Sequence, residues 1–271
     1  MNIFQVVVLG IVQGLAEFMP VSSSGHLVLV PWWLGWPIPG VAFDAILHLG
    51  TVLAVLVVFY RDLWDIVVAW LRSLVGRGST AESRLGWLLI LATIPAAVAG
   101  LKLENFFGKL FGSPLTVACL LLVTGCFLAL AEFFSEREKT LTQMRWVDAL
   151  IVGLAQAAAI APGISRSGAT ISAGLLRGFK REEAARFSFI LSIPVILGAG
   201  LSQVARMALH PNLPQQTEPA SLLIVGFLAA AVTGYLTIRF LLRYLQRGSL
   251  YPFAIYCWIV GGISVIVVLL S

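Results

Sequence analysis

Apolar residues in this chain fall into runs long enough to cross a bilayer, which takes roughly 20 residues. Six such runs lie at approximately 42–60, 85–101, 114–134, 186–207, 220–242 and 250–270. Two more apolar stretches, 1–35 and 146–178, are broken in the middle by Pro, Gly and Ser. Each half of a broken stretch is too short to span alone. Non-helical backbone at membrane depth survives only when buried in protein or lining a wet cavity. Both stretches are therefore expected to be re-entrant helix–loop–helix hairpins with Ser-x-Ser-Gly at each tip. The plainer alternative is a pair of ordinary spans with a surface loop. The expected fold is an all-α polytopic membrane protein with six transmembrane helices plus two hairpins.

The two broken stretches resemble each other. Adding 143 to Gly10, Gln13, Ala16, Ser22, Ser24 and Gly25 gives Gly153, Gln156, Ala159, Ser165, Ser167 and Gly168. Six identities at one ungapped offset point to a duplicated unit. One membrane domain, 1–271, is expected, with repeat 1 at approximately 1–134 and repeat 2 at approximately 146–271. Three spans separate the hairpins. Three is odd, so the second hairpin enters from the opposite face and the repeats are inverted.

Charge assigns the faces. Of the 18 Lys and Arg residues, 14 fall on one side, from Arg61 through Arg247. Lys102, Lys109 and Arg206 fall on the other, and Arg166 sits at the second tip. The positive-inside rule makes the 14-residue side cytoplasmic. Both termini and the mouth of the first hairpin are then external.

Composition agrees with a membrane domain: 59% hydrophobic and 11% charged, where a soluble domain carries about 25% charged residues. The segment Met1 to Leu15 has no basic leader and is read as mature structure. Cys119, Cys126 and Cys257 lie in apolar segments without motif spacing and are expected to be buried thiols. The net charge of +5 is no sign of nucleic-acid binding, because the cations flank membrane segments. Small residues such as Gly198, Gly200, Gly261 and Gly262 could pack helices closely, within one chain or in a homo-oligomer.

The polar residues gather at the tips. Gln13 and Glu17 share a helix face, and an ionisable group at membrane depth is by default functional. Ser22, Ser23, Ser24, Gly25 and His26 follow. One or two of these serines are expected as helix N-caps, while His26 could sit close enough to Ser23 to activate its hydroxyl. The second tip offers Ser165, Arg166, Ser167 and Thr170. Arg166 needs an anion, and a phosphate fits its planar fork, with Glu17 as the competing partner. Two converging helix N-termini would add amides and dipoles for an anion. The set suits phosphoryl hydrolysis on a lipid-borne phosphate, with Glu17 as a possible ligand for a divalent ion.

At these residues the chain resembles the undecaprenyl pyrophosphate phosphatase family, linked to bacitracin resistance. The resemblance rests on Gln13-x-x-x-Glu17 with Pro20-Val21-Ser22-Ser23-Ser24-Gly25-His26, and on Pro162-Gly163-Ile164-Ser165-Arg166-Ser167-Gly168-Ala169-Thr170. It extends to Phe187-Ser188-Phe189 with Pro194, and to Pro252-Phe253-Ala254-Ile255-Tyr256. It implies an enzyme of the bacterial inner membrane that converts undecaprenyl diphosphate to the monophosphate and phosphate, recycling the lipid carrier of cell-wall synthesis. It implies dependence on Mg²⁺ or Ca²⁺, and catalytic roles for Glu17, Ser23, His26 and Arg166. Gln13, Ser22, Ser24, Ser165, Ser167 and Thr170 would bind substrate. Gln13 stands where many members carry a second Glu. Either Ser23 attacks the terminal phosphorus or His26 activates water. The rival class is a lipid-carrier transporter or flippase using the same midplane site, since inverted repeats with broken helices are also a transporter pattern.

Overall fold

The computed structural model describes residues 1–270 except 77, 79, 104, 105, 107–109, 111 and 210–217, and for 201 and 203–209 only the helix path. Arg77, Lys109 and the side chain of Arg206, three of the cations counted above, lie outside the described residues. The described chain is helical, with eleven α-helices and no strand among the described residues.

Six helices are long and apolar enough to cross a bilayer: α3 (Val41–Val58), α5 (Ala81–Lys102), α6 (Pro114–Phe134), α9 (Arg181–Leu209), α10 (Ala220–Leu245) and α11 (Tyr251–Leu270). They coincide with the six expected runs. The broken stretches form two helix pairs, α1 (Ile3–Phe18) with α2 (Ser23–Leu34), and α7 (Trp146–Ala158) with α8 (Arg166–Leu176). At 1.5 Å per residue, helices of 16, 12, 13 and 11 residues measure roughly 16–24 Å, short of a bilayer core of about 30 Å.

The hydropathy does not announce α4 (Tyr60–Leu74). Its Ile66 is buried, while Tyr60, Trp64, Val67, Leu71 and Leu74 form an exposed stripe. The 3.6-residue period of the apolar positions makes the helix, although its charges break the apolar run.

Small residues set the close crossings. A Cβ on Gly10 would meet Gly226 O at 2.8 Å, and one on Gly14 would meet Gly234 N at 2.7 Å. Phe18 also packs on Gly234. Helix α1 therefore advances along α10 in the same direction. Helix α3 does likewise, with Phe43 and Leu47 against Gly226 and Ala54 against Gly234. Helices α6 and α11 run antiparallel, Gly125 meeting Trp258 and Gly261 meeting Ala118. Gly198 and Gly262 face open space.

Ion pairs tie one end of the bundle. Glu132 accepts from Arg137 at 2.7 Å and from both Arg181 donors, and Asp148 accepts from Arg177 at 2.6 Å. Arg186 donates to Asp62 at 2.7 Å. All these cations belong to the group assigned to the cytoplasm. At the other end, the Met1 amine pairs with Glu218 at 3.0 Å. The thiols correct one expectation: Cys257 is buried, but Cys119 and Cys126 are exposed on α6, one lipid-facing side of that span.

Candidate active site

The two tips have the same local construction. Ser22 caps α2, its Oγ accepting from Gly25 N–H at 3.2 Å, and Ser165 caps α8, accepting from Gly168 N–H at 3.0 Å. Each capping hydroxyl also neighbours the serine two residues on, Ser24 at 3.4 Å and Ser167 at 3.2 Å. The cap expected at the first tip is Ser22, and its counterpart 143 residues on, Ser165, caps the second. A helix leaves its first amides without internal partners, and the caps satisfy only one of them at each tip. Ser22 holds φ at +69° and Gly163 at +99°, which lets each chain reverse tightly before the new helix. Carbonyls of the turns are also anchored by the spans. Thr124 on α6 donates to Gly163 O at 2.9 Å, and the Cys257 thiol on α11 approaches Pro20 O at 3.8 Å.

The tips touch. Ser167 Oγ donates to Met19 O at 3.2 Å, and Arg166 forms an ion pair with Glu17 across the contact. Glu17 is the hub of the site. Its Oε1 takes the Arg166 guanidinium. Its Oε2 accepts from Ser23 Oγ at 2.5 Å and Gln13 Nε2 at 3.0 Å, with His48 Nε2 at 3.5 Å. Gln13, Glu17, Ser22, Ser23, His26, Ser165, Ser167 and Thr170 are all buried. Arg166 is braced from α9, donating to Ser188 O at 3.3 Å, while Thr170 Oγ1 donates to Arg166 O at 2.8 Å and meets Ser188 Oγ at 2.6 Å.

Two pairings differ from the sequence expectation. Ser23 turns to Glu17 rather than to His26. His26 lies against its own N-cap, Nδ1 to Ser22 O at 2.8 Å, and its Nε2 meets Tyr256 OH at 2.7 Å. A carbonyl only accepts, so Nδ1 carries the proton and Nε2 accepts from the phenol. The rings stack at 5.6 Å. The cause is local: a residue four beyond the cap sits over the cap carbonyl, one helical turn away.

Sequence reasoning about roles passed over His48, Tyr256, Ser188 and Thr124. His48 carried a signal, as an ionisable group inside an apolar span. Ser188 and Tyr256 lie in segments that share the family resemblance. Thr124 carried none, because a lone Thr in a span is commonplace.

Divalent cations such as Mg²⁺ or Ca²⁺ take hard oxygens, and Glu17 is the carboxylate the sequence offers. Both its oxygens are engaged, one by a guanidinium. No three His, Cys, Asp or Glu side chains gather to hold a metal among the described residues. One oxygen beside Glu17 is unclaimed, the buried Oε1 of Gln13. The side chains therefore do not fit a resident ion held by Glu17.

The arrangement brings a hydroxyl, a carboxylate, a guanidinium and two helix N-termini together at a buried point, which is the equipment of phosphoryl transfer. Comparison with known proteins agrees. The family model described as bacitracin resistance protein BacA matches residues 6–263. The chain is similar to the undecaprenyl-diphosphatase of Moorella thermoacetica, 44% identical over 267 residues covering 98% of each chain. It is also similar to those of Halothermothrix orenii, 47% identical over 98% of each chain, and Thermomicrobium roseum, 46% identical over 99% of each. The match spans both tips and every helix that holds them in contact, and on that evidence the chain belongs to the BacA family.

Proposed function

We propose that this chain is a membrane phosphatase that hydrolyses undecaprenyl diphosphate to undecaprenyl phosphate and inorganic phosphate. It thereby recycles the carrier lipid, and bacitracin resistance follows at the level of the family. The observation that carries the reading is Glu17, bound at once to the Ser23 hydroxyl and the Arg166 guanidinium. One tip supplies a hydroxyl beside a base and the other a cation for phosphate.

In the reading we favour, Arg166 and the first-turn amides of α2 and α8 bind the diphosphate, drawing Arg166 partly from Glu17. Ser23 Oγ forms a bond to the terminal phosphorus as its proton passes to Glu17 Oε2. The anhydride P–O bond breaks and the lipid monophosphate leaves. Water then cleaves the phosphoserine. His26, held by Ser22 and Tyr256, completes the wall beside Ser23. The Mg²⁺ or Ca²⁺ dependence that the family resemblance implies would then rest on an ion carried by the diphosphate, where it would offset phosphate charge, and not on Glu17.

We further propose that the α1–α2 and α7–α8 pairs are re-entrant and that the halves, approximately 1–134 and 146–271, form an inverted repeat in the bacterial inner membrane. Helix lengths support this, as does reciprocal packing: α1 and α3 lie against α10, while α7 and α9 lie against α5. The first hairpin then opens externally.

The test is phosphate release by detergent-purified protein from a polyprenyl diphosphate. Release that disappears in His26→Ala and Arg166→Ala supports the enzyme. No release by the parent protein, with Mg²⁺ or Ca²⁺ supplied, would leave lipid transport as the better reading. Trapped phospho-Ser23 supports the covalent route, and its absence during normal turnover refutes that route.

A further inference from the structure

Glu17 is clamped from two sides, and only one clamp has a role so far. Arg166 holds Oε1. On the other side His48, from the first span α3, places Nε2 3.5 Å from Oε2, the oxygen that receives the Ser23 hydroxyl at 2.5 Å. The imidazole is itself fixed. Its Nδ1 lies 2.7 Å from the backbone carbonyl of Asp44, one turn earlier. That carbonyl only accepts, so Nδ1 is a donor, and because the carboxylate also only accepts, Nε2 pairs with Glu17 as a second donor when the ring is protonated on both nitrogens. The span is held rigidly too, since a Cβ on Gly50 would meet Ala230 of α10 at 3.2 Å. His26 cannot fill this place, because both its ring nitrogens are engaged elsewhere.

We propose that His48 is a positioning residue of the phosphatase site, acting through Glu17. Together with Arg166 it fixes the carboxylate so that Oε2 faces Ser23. Its side chain is 27% exposed against 4% for Glu17, so α3 forms the wall between the buried hub and the surface. The proposal rests on the diphosphatase reading above. It predicts a defect in turnover rather than binding, because Glu17 and not His48 meets the reacting hydroxyl. Misplacement of such a group by an ångström costs on the order of 100-fold.

Two polar replacements separate the ring nitrogens. The amide of Gln extends to the place of Nε2 and reaches Glu17. The amide of Asn stops at the place of Nδ1 and reaches only the Asp44 carbonyl. With a polyprenyl diphosphate as substrate, we expect His48→Asn to lower kcat about 10- to 100-fold with KM within about threefold. His48→Gln should recover most of that loss. If His48 merely satisfies the Asp44 carbonyl, the order reverses and Asn is the better replacement. Equal activities, or a change confined to KM, also overturn the proposal. A parent protein that releases no phosphate sinks the diphosphatase reading instead. Thermal melting of both variants excludes unfolding as the cause, and should either fail to melt cooperatively, diethyl pyrocarbonate decides on the parent chain. His48 is the reactive ring if substrate slows its modification and the slowing tracks activity, whereas modification of His48 without loss of kcat refutes the role.

Discussion

Glu17 is costly where it sits, and its partners are what make it tolerable. A buried carboxylate without a counter-charge destabilises by several kcal/mol, and removing one partner of a buried pair costs about 3–5 kcal/mol. Glu17→Gln keeps the shape but gives up the base and leaves Arg166 unpaired. Phosphate release should fall about 10²- to 10⁴-fold, and thermal melting should drop with it. Ser23→Ala should lose comparable activity without that drop, since its hydroxyl only donates to Glu17. Equal melting losses in both variants would remove the ion pair from the stability argument. Tyr256→Phe isolates another contact. It deletes the phenol donor to His26 Nε2 and keeps the stacking, so it should cost far less activity than His26→Ala in the same assay. Gln13, Glu17, Ser23 and Arg166 were legible in the sequence because polar groups are rare in an apolar chain, whereas His48 stood apart from the tip motifs and was passed over. The pairing was not legible, because Ser23 can reach either Glu17 or His26, and only the path of the first turn of α2 decides.

At the scale of elements, glycine places the helices that carry these groups. Gly14 lies one turn before Phe18 and packs against the backbone of α10, where a Cβ would meet Ala230 O and Gly234 N at 2.7 Å each. Neither backbone atom can rotate away. Gly14→Ala should push α1 off α10, destabilise by about 1–3 kcal/mol and impair turnover by displacing Gln13 and Glu17. Gly262→Ala, on the open face of α11, should leave both melting and activity unchanged. Differential scanning fluorimetry and phosphate release on the two variants check the contrast. The six long helices were readable because their apolar runs match a bilayer. Helix α4 was not, because Arg61, Asp62, Asp65 and Arg72 interrupt its run while its 3.6-residue period persists. The exposure of Cys119 and Cys126 was missed for a related reason: in a span, apolar surroundings in sequence do not distinguish the lipid face from the core.

At the scale of the whole molecule, the charge tally assigns sides and nothing more. A hairpin that crosses twice leaves the chain on the same side as one that turns back, so 14 cations against three fits both arrangements. What separates them is where the tips lie. The helices of each pair are shorter than a bilayer core, which favours the proposed re-entrant arrangement, and the tips meet each other through Arg166–Glu17 and Ser167–Met19. Two tips entering from opposite faces can meet only near the middle of the membrane, whereas tips that emerged on opposite faces would stand a full bilayer apart. In a chain whose three cysteines are replaced by Ala, a single Cys at Ile38 should therefore react with a membrane-impermeant maleimide added outside intact cells. One at Glu136 should react only after permeabilisation. The decisive position is Ser24, at the first tip. If α1 and α2 both crossed, Ser24→Cys would behave like Glu136→Cys. For a hairpin meeting its partner at mid-membrane, it stays shielded from the cytoplasmic face and is slowed toward reagent from outside by bound polyprenyl diphosphate.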